Sequence, residues 1–598
     1  MRNQSSNQYG GREFRRSGGD EGDVLLASVA AGLTAAAYLL ARLLHLRPIQ
    51  IEELGLYLLC SIAAIASLVW YGGCGRQRVE KEWPHRAVFV PLRRTMRDRA
   101  NAAGKQAVVA GYDLYARPWH WSDDLRCMQA IVLGQSGSGK STLLHNIAAQ
   151  DIHRTIQGRH LPLIVFDGKG DQEFLRGLLY EVCAAGRLDQ LRVLDPLRPE
   201  ISARFNPLFA GEESAHEELV AGLFESFLLR RDFFRAHQAA YLSDICRVLH
   251  LSNQVYNIFD VLVMARDQQV IQEQIVQARR KLESRPGVSA ERRRSFEMSA
   301  RNLLDSLADR ERVPKIQGLL NELMTFTEDN LSPIVNAYED LLTLEEVIDR
   351  RLILLVSLNA SHNTRAVTAL GRTLLQNLQL IVGRRYLNRE QLAPEHRPMV
   401  SVILDEFAPF VYANFAPILQ TARGSGVALL FSLQSIPQLR AISRSFGDDV
   451  SSAPNTIMLL RTRDEETARY FLNASARVTG ERRTLTVERK GVFAGSYRES
   501  GYGSITEMER TRAVDFQIKN LPVGQMQVLT TDHERGTLHL HLHVHRTLPR
   551  HLAGFEPPLY PKLNGPDQNV AAANLRFRNP ELTRRVRTIF RRSKMAWS

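Results

Sequence analysis

Apolar positions along the chain fall into three regimes. In the first they are continuous: Val24–Ala41 and Leu54–Gly75 contain no Asp, Glu, Lys or Arg. At ~1.5 Å per residue each run reaches about 27 Å or more, close to the thickness of a bilayer's hydrocarbon core. They predict a hairpin of transmembrane helices at about 24–46 and 54–75, turned by the short Arg47–Glu53 segment. A cleaved signal peptide fits less well, because a second apolar run follows at once. Arginines precede the first run (Arg2, Arg12, Arg15, Arg16), and basic residues are dense from Arg76 to Arg99. Basic flanks stay on the cytoplasmic side, which places both termini there.

In the second regime, short apolar runs alternate with stretches of helical period. The runs include Ala130–Leu133, Leu163–Asp167, Leu191–Asp195, Leu352–Leu358, Val400–Leu404, Val427–Leu433, Thr456–Leu460 and Gln525–Leu529. Runs of this kind read as strands of a largely parallel sheet covered on both faces, an α/β fold. Residues from about 86 to the first of them read as short β-rich runs. The third regime, residues 209–345, is helical in pattern throughout, with Glu217–Leu229, Ala239–Leu251, Val270–Leu282, Ser299–Leu307 and Lys315–Leu323. The expected organisation is a membrane anchor (1–75), a nucleotide-binding domain in two parts (76–208 and 346–546), an all-α insert (209–345) and a basic tail (547–598). Several domains suit 598 residues, because single cores stop growing near ~250–300.

The chemistry concentrates behind the Ala130–Leu133 run. There Gly134, Gln135, Ser136, Gly137, Ser138, Gly139, Lys140, Ser141 and Thr142 form a phosphate-binding loop, between a strand and a helix as that motif requires. The glycines let backbone N–H groups turn inward around a phosphate, and the helix N-terminus adds its positive end. Lys140 reaches the β/γ-phosphates, while Ser141 helps hold Mg²⁺. The expected ligands are therefore ATP and Mg²⁺. Asp405 and Glu406 end the Val400–Leu404 run. Asp405 suits Mg²⁺, and Glu406 suits orienting or deprotonating the attacking water. Gln434 ends the Val427–Leu433 run, where such sheets place ligand-facing groups. Arg423 sits beside a glycine-rich segment, suited to reach across a subunit interface.

Charge widens the picture. The net charge of +13 suits a polyanionic partner. Arg279, Arg280, Lys281, Arg285, Arg292, Arg293, Arg294 and Arg301 cluster in the insert, either as a solvated helical face or as a phosphate-contacting surface. The tail is basic again, at Arg576, Arg578, Arg584, Arg585 and beyond. The scattered cysteines form no CxxC pair, which argues against a disulfide framework or a zinc site. His539, His541, His543 and His545 alternate on one strand, which reads as half-exposed rather than as a metal site.

Taken together, GQSGSGKST at the loop, FDGKGD at Phe166–Asp171, FNPL at Phe205–Leu208, ILDEFAPF at Ile403–Phe410, ARGSGVALLFSLQS at Ala422–Ser435 and NLPVGQ at Asn520–Gln525 resemble one family. It is the coupling proteins of type IV secretion and bacterial conjugation, the TraD/TraG/TrwB-like ATPases related to FtsK/HerA. Gly168 departs from the family's usual proline. The resemblance implies a RecA-like P-loop domain, assembly as a hexamer and ATP at subunit interfaces. It implies an inner-membrane protein that receives relaxase and single-stranded DNA and passes them to the channel components. Carried onto this sequence, Lys140, Asp405, Glu406, Gln434 and Arg423 are the catalytic set, with Arg423 acting in trans. A docking receptor with structural ATP binding and a double-stranded DNA translocase are the alternatives.

Overall fold

The computed structural model describes residues 88–545 except 210–215, 228–233, 253–254, 285–287, 310, 328–330, 360–363, 389–398, 413–414, 476, 490–496, 512–514, 533 and 535. The expected membrane hairpin and basic tail lie outside the described residues. Among those described, no helix is long and apolar enough to cross a membrane.

An eleven-stranded mixed sheet organises the chain from residue 107 onward. In chain order the strands begin with β1 (Ala107–Tyr112), β2 (Pro118–Ser122) and β3 (Ala130–Leu133). A small hairpin, β4 (Thr155–Ile156) and β5 (Arg159–His160), precedes β6 (Leu163–Asp167) and β7 (Leu191–Leu194). Then come β8 (Ile353–Ser357), β9 (Val400–Asp405), β10 (Val427–Leu433) and β11 (Thr456–Leu460). A separate two-stranded ribbon, β12 (Arg477–Arg489) with β13 (Tyr497–Thr511), precedes β14 (Gln525–Asp532) and β15 (Gly536–His543).

The sheet order is β2-β1-β15-β14-β11-β3-β10-β9-β6-β8-β7. From β11 to β7 all neighbours are parallel, while β14, β15, β1 and β2 add an antiparallel wing. The parallel strands are apolar almost throughout because both faces are covered. On β3, Val132 joins the core that contains Leu143, Ile147 and Leu178 of the helices Lys140–His153 and Gln172–Ala184. Ile131 and Leu133 join the opposite core, which contains Leu374 and Ile418. Alternate residues thus serve opposite layers, as the period of a strand dictates.

Between Leu194 and Ile353 the described residues form helices and no named strand. They include His216–Ser226, Arg235–Ser252, Ile258–Arg266, Gln268–Ser284, Ala290–Ala308 and Arg312–Thr325. Ile258–Arg266 carries a capping box, in which Asn257 and Asp260 satisfy each other's backbone N–H. The excursion departs and returns at one place: Phe205 N donates to Ile334 O at 3.0 Å, and Leu342 N donates to Arg204 O at 2.8 Å. Its apolar residues, Leu242, Ile245 and Leu319 among them, belong to the same core as the face of the sheet bearing Ile131.

Two expectations change here. The stretch before β1 is a helix, Leu92–Ala103, started after Pro91, where β-rich runs were expected. Proline suits the entry to a helix, because its missing N–H would have no partner there anyway. The His-bearing strand is also more deeply placed than its alternation suggests. β15 lies between β14 and β1, and His541 and His543 are buried. Among the described residues, no group of three or more His, Cys, Asp or Glu is placed to hold a metal ion.

Candidate active site

Parallel pairing brings the carboxyl ends of β3, β10, β9 and β6 to one edge of the sheet. Leu133 pairs with Leu433, Phe431 with Leu404, and Asp405 with Asp167. The residues that follow those ends therefore converge: the loop 134–142, Gln434, Glu406 and Lys169.

The loop is a cradle built from backbone. Gly134, Gly137 and Gly139 have φ of 156°, 73° and 108°. The last two lie in the left-handed region, where a side chain is strained. Gly139 is the N-cap of the helix Lys140–His153 and offers no side-chain cap, so the first N–H groups of that helix face the loop's interior. Ser138 Oγ is buried with no hydrogen-bond partner among the described residues. Three neighbours fix the loop from outside. Gln135 N donates to Arg461 O at 3.0 Å, Gly134 N to Leu433 O at 3.3 Å, and Gly524 N to Ser138 O at 3.0 Å. Gly139 approaches so closely that an added Cβ would lie 3.3 Å from the Gly524 backbone.

Lys140 is folded into this cradle, its Nζ donating to Gly134 O at 2.6 Å and Gln135 O at 3.4 Å. Burial lowers its pKa, and the charges of Glu406 and Asp405 only partly restore it. An anionic phosphate would supply the compensation this ammonium lacks. Ser141 Oγ donates to Asp405 Oδ2 at 2.8 Å, and Ser432 Oγ donates to Asp405 Oδ1 at 2.5 Å. The donors fit Mg²⁺, which takes one or two protein oxygens and completes its shell with phosphate and water. Ser141 and Asp405 would hold it.

Glu406 has a φ of 49°, unusual for a residue with a side chain. Four contacts keep it there. Its N–H reaches Asp405 Oδ1 at 3.0 Å and Ser432 Oγ at 3.0 Å. Its carboxylate accepts from Gln434 Nε2 at 3.0 Å and pairs with Lys169 Nζ at 2.9 Å, with Lys140 Nζ further off at 3.8 Å. Burial works to lower the Lys169 pKa, but the hydrogen bond and charge of Glu406 outweigh it and the net shift is upward. Burial pushes the Asp167 carboxyl up to about 7. The N–H groups of Lys169 and Asp171 pull against that shift, and the charge of Asp405 adds to it.

Gly168 N donates to Asp405 O at 3.0 Å, a bond that proline cannot make. A Cβ there would lie 2.6 Å from Glu406 O and 2.8 Å from Phe410 Cε2. Glycine at 168 thus has a local physical reason.

Lys140, Ser141, Asp405, Glu406 and Gln434 are brought together; Arg423 is not. It is exposed in the last turn of the helix Ala416–Ser425, which feeds the amino end of β10. Gln434 follows the other end, and seven strand residues span roughly 20 Å. Sequence reasoning assigned no role to Lys169, Ser432, Arg461 or Gly524. All but Arg461 lie in quoted motifs, FDGKGD, ARGSGVALLFSLQS and NLPVGQ, and that was the available signal.

Residues 399–513, which include Asp405, Glu406, Arg423 and Gln434, match the family described as the TraM recognition site of TraD and TraG. In that stretch the chain is similar to type IV coupling proteins. Type 4 coupling protein DotL of Legionella pneumophila is 20% identical over 448 residues, covering 67% of this chain and 55% of that one. The chain thus spans about half the length of the curated relative it matches. Two solved structures are similar at lower identity. The bacterial conjugative coupling protein TrwBdeltaN70, in an unbound form, has a TM-score of 0.48 at 15% identity over 74% of this chain and 90% of that one. Plasmid coupling protein TrwB in complex with ADP and Mg²⁺ has a TM-score of 0.46 at 14% identity, over 76% and 94%.

Proposed function

We propose that this chain is the RecA-like ATPase of a type IV secretion or conjugation system. It hydrolyses Mg²⁺–ATP to recruit relaxase-bound single-stranded DNA, or protein substrates, and pass them to the channel. In this reading it is anchored in the inner membrane by the hairpin 1–75, with both termini cytoplasmic, and works as a hexamer.

One observation carries the proposal: a phosphate cradle, a serine–carboxylate pair, a second carboxylate and a strand-end amide meet at one sheet edge. The loop N–H groups and Lys140 bind the phosphates. Bound Mg²⁺ would neutralise charge on the β/γ-oxygens. Ser141 and Asp405 fix its place, and Ser432 holds Asp405 in orientation. Glu406 accepts a proton from, or orients, the attacking water. Gln434, hydrogen-bonded to Glu406, passes nucleotide state to that carboxylate. Arg423 would act in the active site of a neighbouring subunit.

The test is ATP turnover by the purified chain with and without single-stranded DNA, beside Lys140→Ala. Turnover stimulated by DNA and abolished by the substitution supports a motor. A second reading is a docking receptor that binds ATP without turning it over. The observation favouring it is that Lys169 and Gln434 already engage the Glu406 carboxylate. Nucleotide binding with no measurable turnover, DNA present or absent, would select that reading.

A further inference from the structure

The helix Leu92–Ala103 is inside out. The face it turns to the protein carries Thr95, Asp98 and Ala102, packed beside β1, with Ala102 in a small core that includes Val90 and Tyr112. Its apolar side chains point away. Leu92 is 59% exposed and Met96 54%, and Phe89, one turn earlier, is 85% exposed. Arg93 and Arg97 are exposed beside them. Residues three and four apart share a helix face, so Leu92, Arg93, Met96 and Arg97 form one stripe, apolar and basic together. Arg94 is held differently, donating to Ala116 O at 2.8 Å and pairing with Asp98, which pins the helix to the loop after β1.

We infer that this stripe lies on an anionic lipid surface, with Phe89, Leu92 and Met96 in the headgroup boundary and Arg93 and Arg97 on lipid phosphates. A basic helix with an exposed apolar face has the chemistry of an interfacial helix. Chain connectivity points to the same occupant. The second apolar run ends at Gly75, 92 − 75 = 17 positions before the helix begins, and Arg76, Arg78, Lys81 and Arg86 outnumber Glu80 and Glu82 in the interval. The inference rests on the membrane-anchor reading of 1–75 and deepens it. The helix would set the orientation of the ATPase against the bilayer rather than leave it on a free tether.

The test is hydrogen–deuterium exchange on the full chain, reconstituted in nanodiscs of phosphatidylcholine alone or mixed with phosphatidylglycerol, with a detergent sample alongside. Each arginine near an acidic surface contributes about fivefold in affinity, so the pair contributes roughly 25-fold. Exchange in residues 88–103 should slow on the anionic discs alone, and Arg93→Glu/Arg97→Glu should abolish that slowing without altering thermal unfolding. Equal exchange on both discs, with residues 54–75 protected, overturns the lipid contact and leaves the anchor standing. Free exchange of 54–75 in both discs overturns the anchor and the inference with it. Protection of 88–103 that is the same in detergent overturns it too, because residues 76–87 or a second copy of the chain would then cover the stripe.

Discussion

Gly168→Ala isolates the closest approach in the site. The added methyl would sit 2.6 Å from the Glu406 carbonyl oxygen, 2.8 Å from Phe410 Cε2 and 3.1 Å from the Asp405 carbonyl oxygen. Ordinary contact begins at 3.4 Å, so the Glu406 backbone must retreat by 3.4 − 2.6 = 0.8 Å or the β6 turn must open by as much. Two carbonyls belong to the strand that carries the acidic pair, and the ring is buried, so no flexible side chain can give way. Overpacking of this kind costs about 1–3 kcal/mol. A displacement approaching an ångström at a catalytic group costs about 100-fold in rate. The expected result is a lowered melting temperature, nucleotide affinity within about threefold of the parent, and turnover reduced by ~10- to 100-fold. Affinity should survive because the atoms nearest the added methyl belong to Glu406, Phe410 and Asp405, not to the cradle at 134–142. Thermal unfolding, equilibrium nucleotide binding and steady-state turnover would be measured on the same preparations. Parental stability and parental turnover together would refute the close approach and the account of why glycine stands there.

Three further outcomes are expected. Lys169→Met should leave nucleotide affinity within about threefold but reduce turnover at least ~10-fold, because Glu406 loses the cation that holds its carboxylate; unchanged turnover would remove Lys169 from the site. Arg126→Met should destabilise the chain by about 3 kcal/mol, read by denaturant unfolding, because it removes one of the two arginines that neutralise the buried Asp151. That carboxylate is buried against Arg126 at 2.5 Å and Arg154 at 2.9 Å, and these arginines hold it down at about 2 despite burial. His541 and His543, lowered by burial to about 3 and about 4, bind fewer protons folded than unfolded between those values and about 6.5. Stability therefore falls as pH drops through that window, by about 1.5 kcal/mol for His541 and less for His543 between pH 6.5 and 5, and an acid titration of stability that stays flat there would contradict their burial.

The features legible in the sequence were those whose chemistry needs contiguous residues or a strand's end. The loop at 134–142 had to be read where it stands, and Asp405-Glu406 and Gln434 each close an apolar run. What escaped depends on which strands lie side by side. Lys169 meets Glu406 because β6 pairs with β9, and Ser432 meets Asp405 because β10 pairs with β9. Lateral order is not written in any one strand. The His strand misled for a related reason. Alternation marks a face but not whether that face is covered, and β15 is interior to the sheet, where His541 bonds Gln525 at 3.0 Å and His539 packs edge-on against Phe471. Leu92–Ala103 escaped differently. It was expected among short β-rich runs, because its apolar positions Leu92 and Met96 face away from the protein and leave no buried apolar stripe of helical period to mark it.

The placement of β10 decides how the site can work. It stands between the strand that leads into the phosphate cradle and the strand that ends in the acidic pair, so those two never pair with each other. Every direct link between them runs through side chains at their ends or through β10. Ser141 spans the gap to Asp405, Ser432 supports Asp405 and the Glu406 N–H, and Gln434 holds the Glu406 carboxylate. A backbone at positive φ costs on the order of 1–2 kcal/mol for a residue with a side chain. Glu406 keeps that conformation because its N–H is doubly accepted and its carboxylate is held by Gln434 and Lys169. The strain turns the chain so that the carboxylate faces Lys140 rather than continuing the direction of β9. A phosphate that draws Lys140 off the Gly134 carbonyl would disturb a charge that Glu406 also feels, and Gln434 would register the change at the end of β10. Arg423 precedes the other end of that same strand. The strand between the two halves of the site therefore has Gln434 directly after one end and, in the helix before its other end, the residue proposed to reach the next subunit.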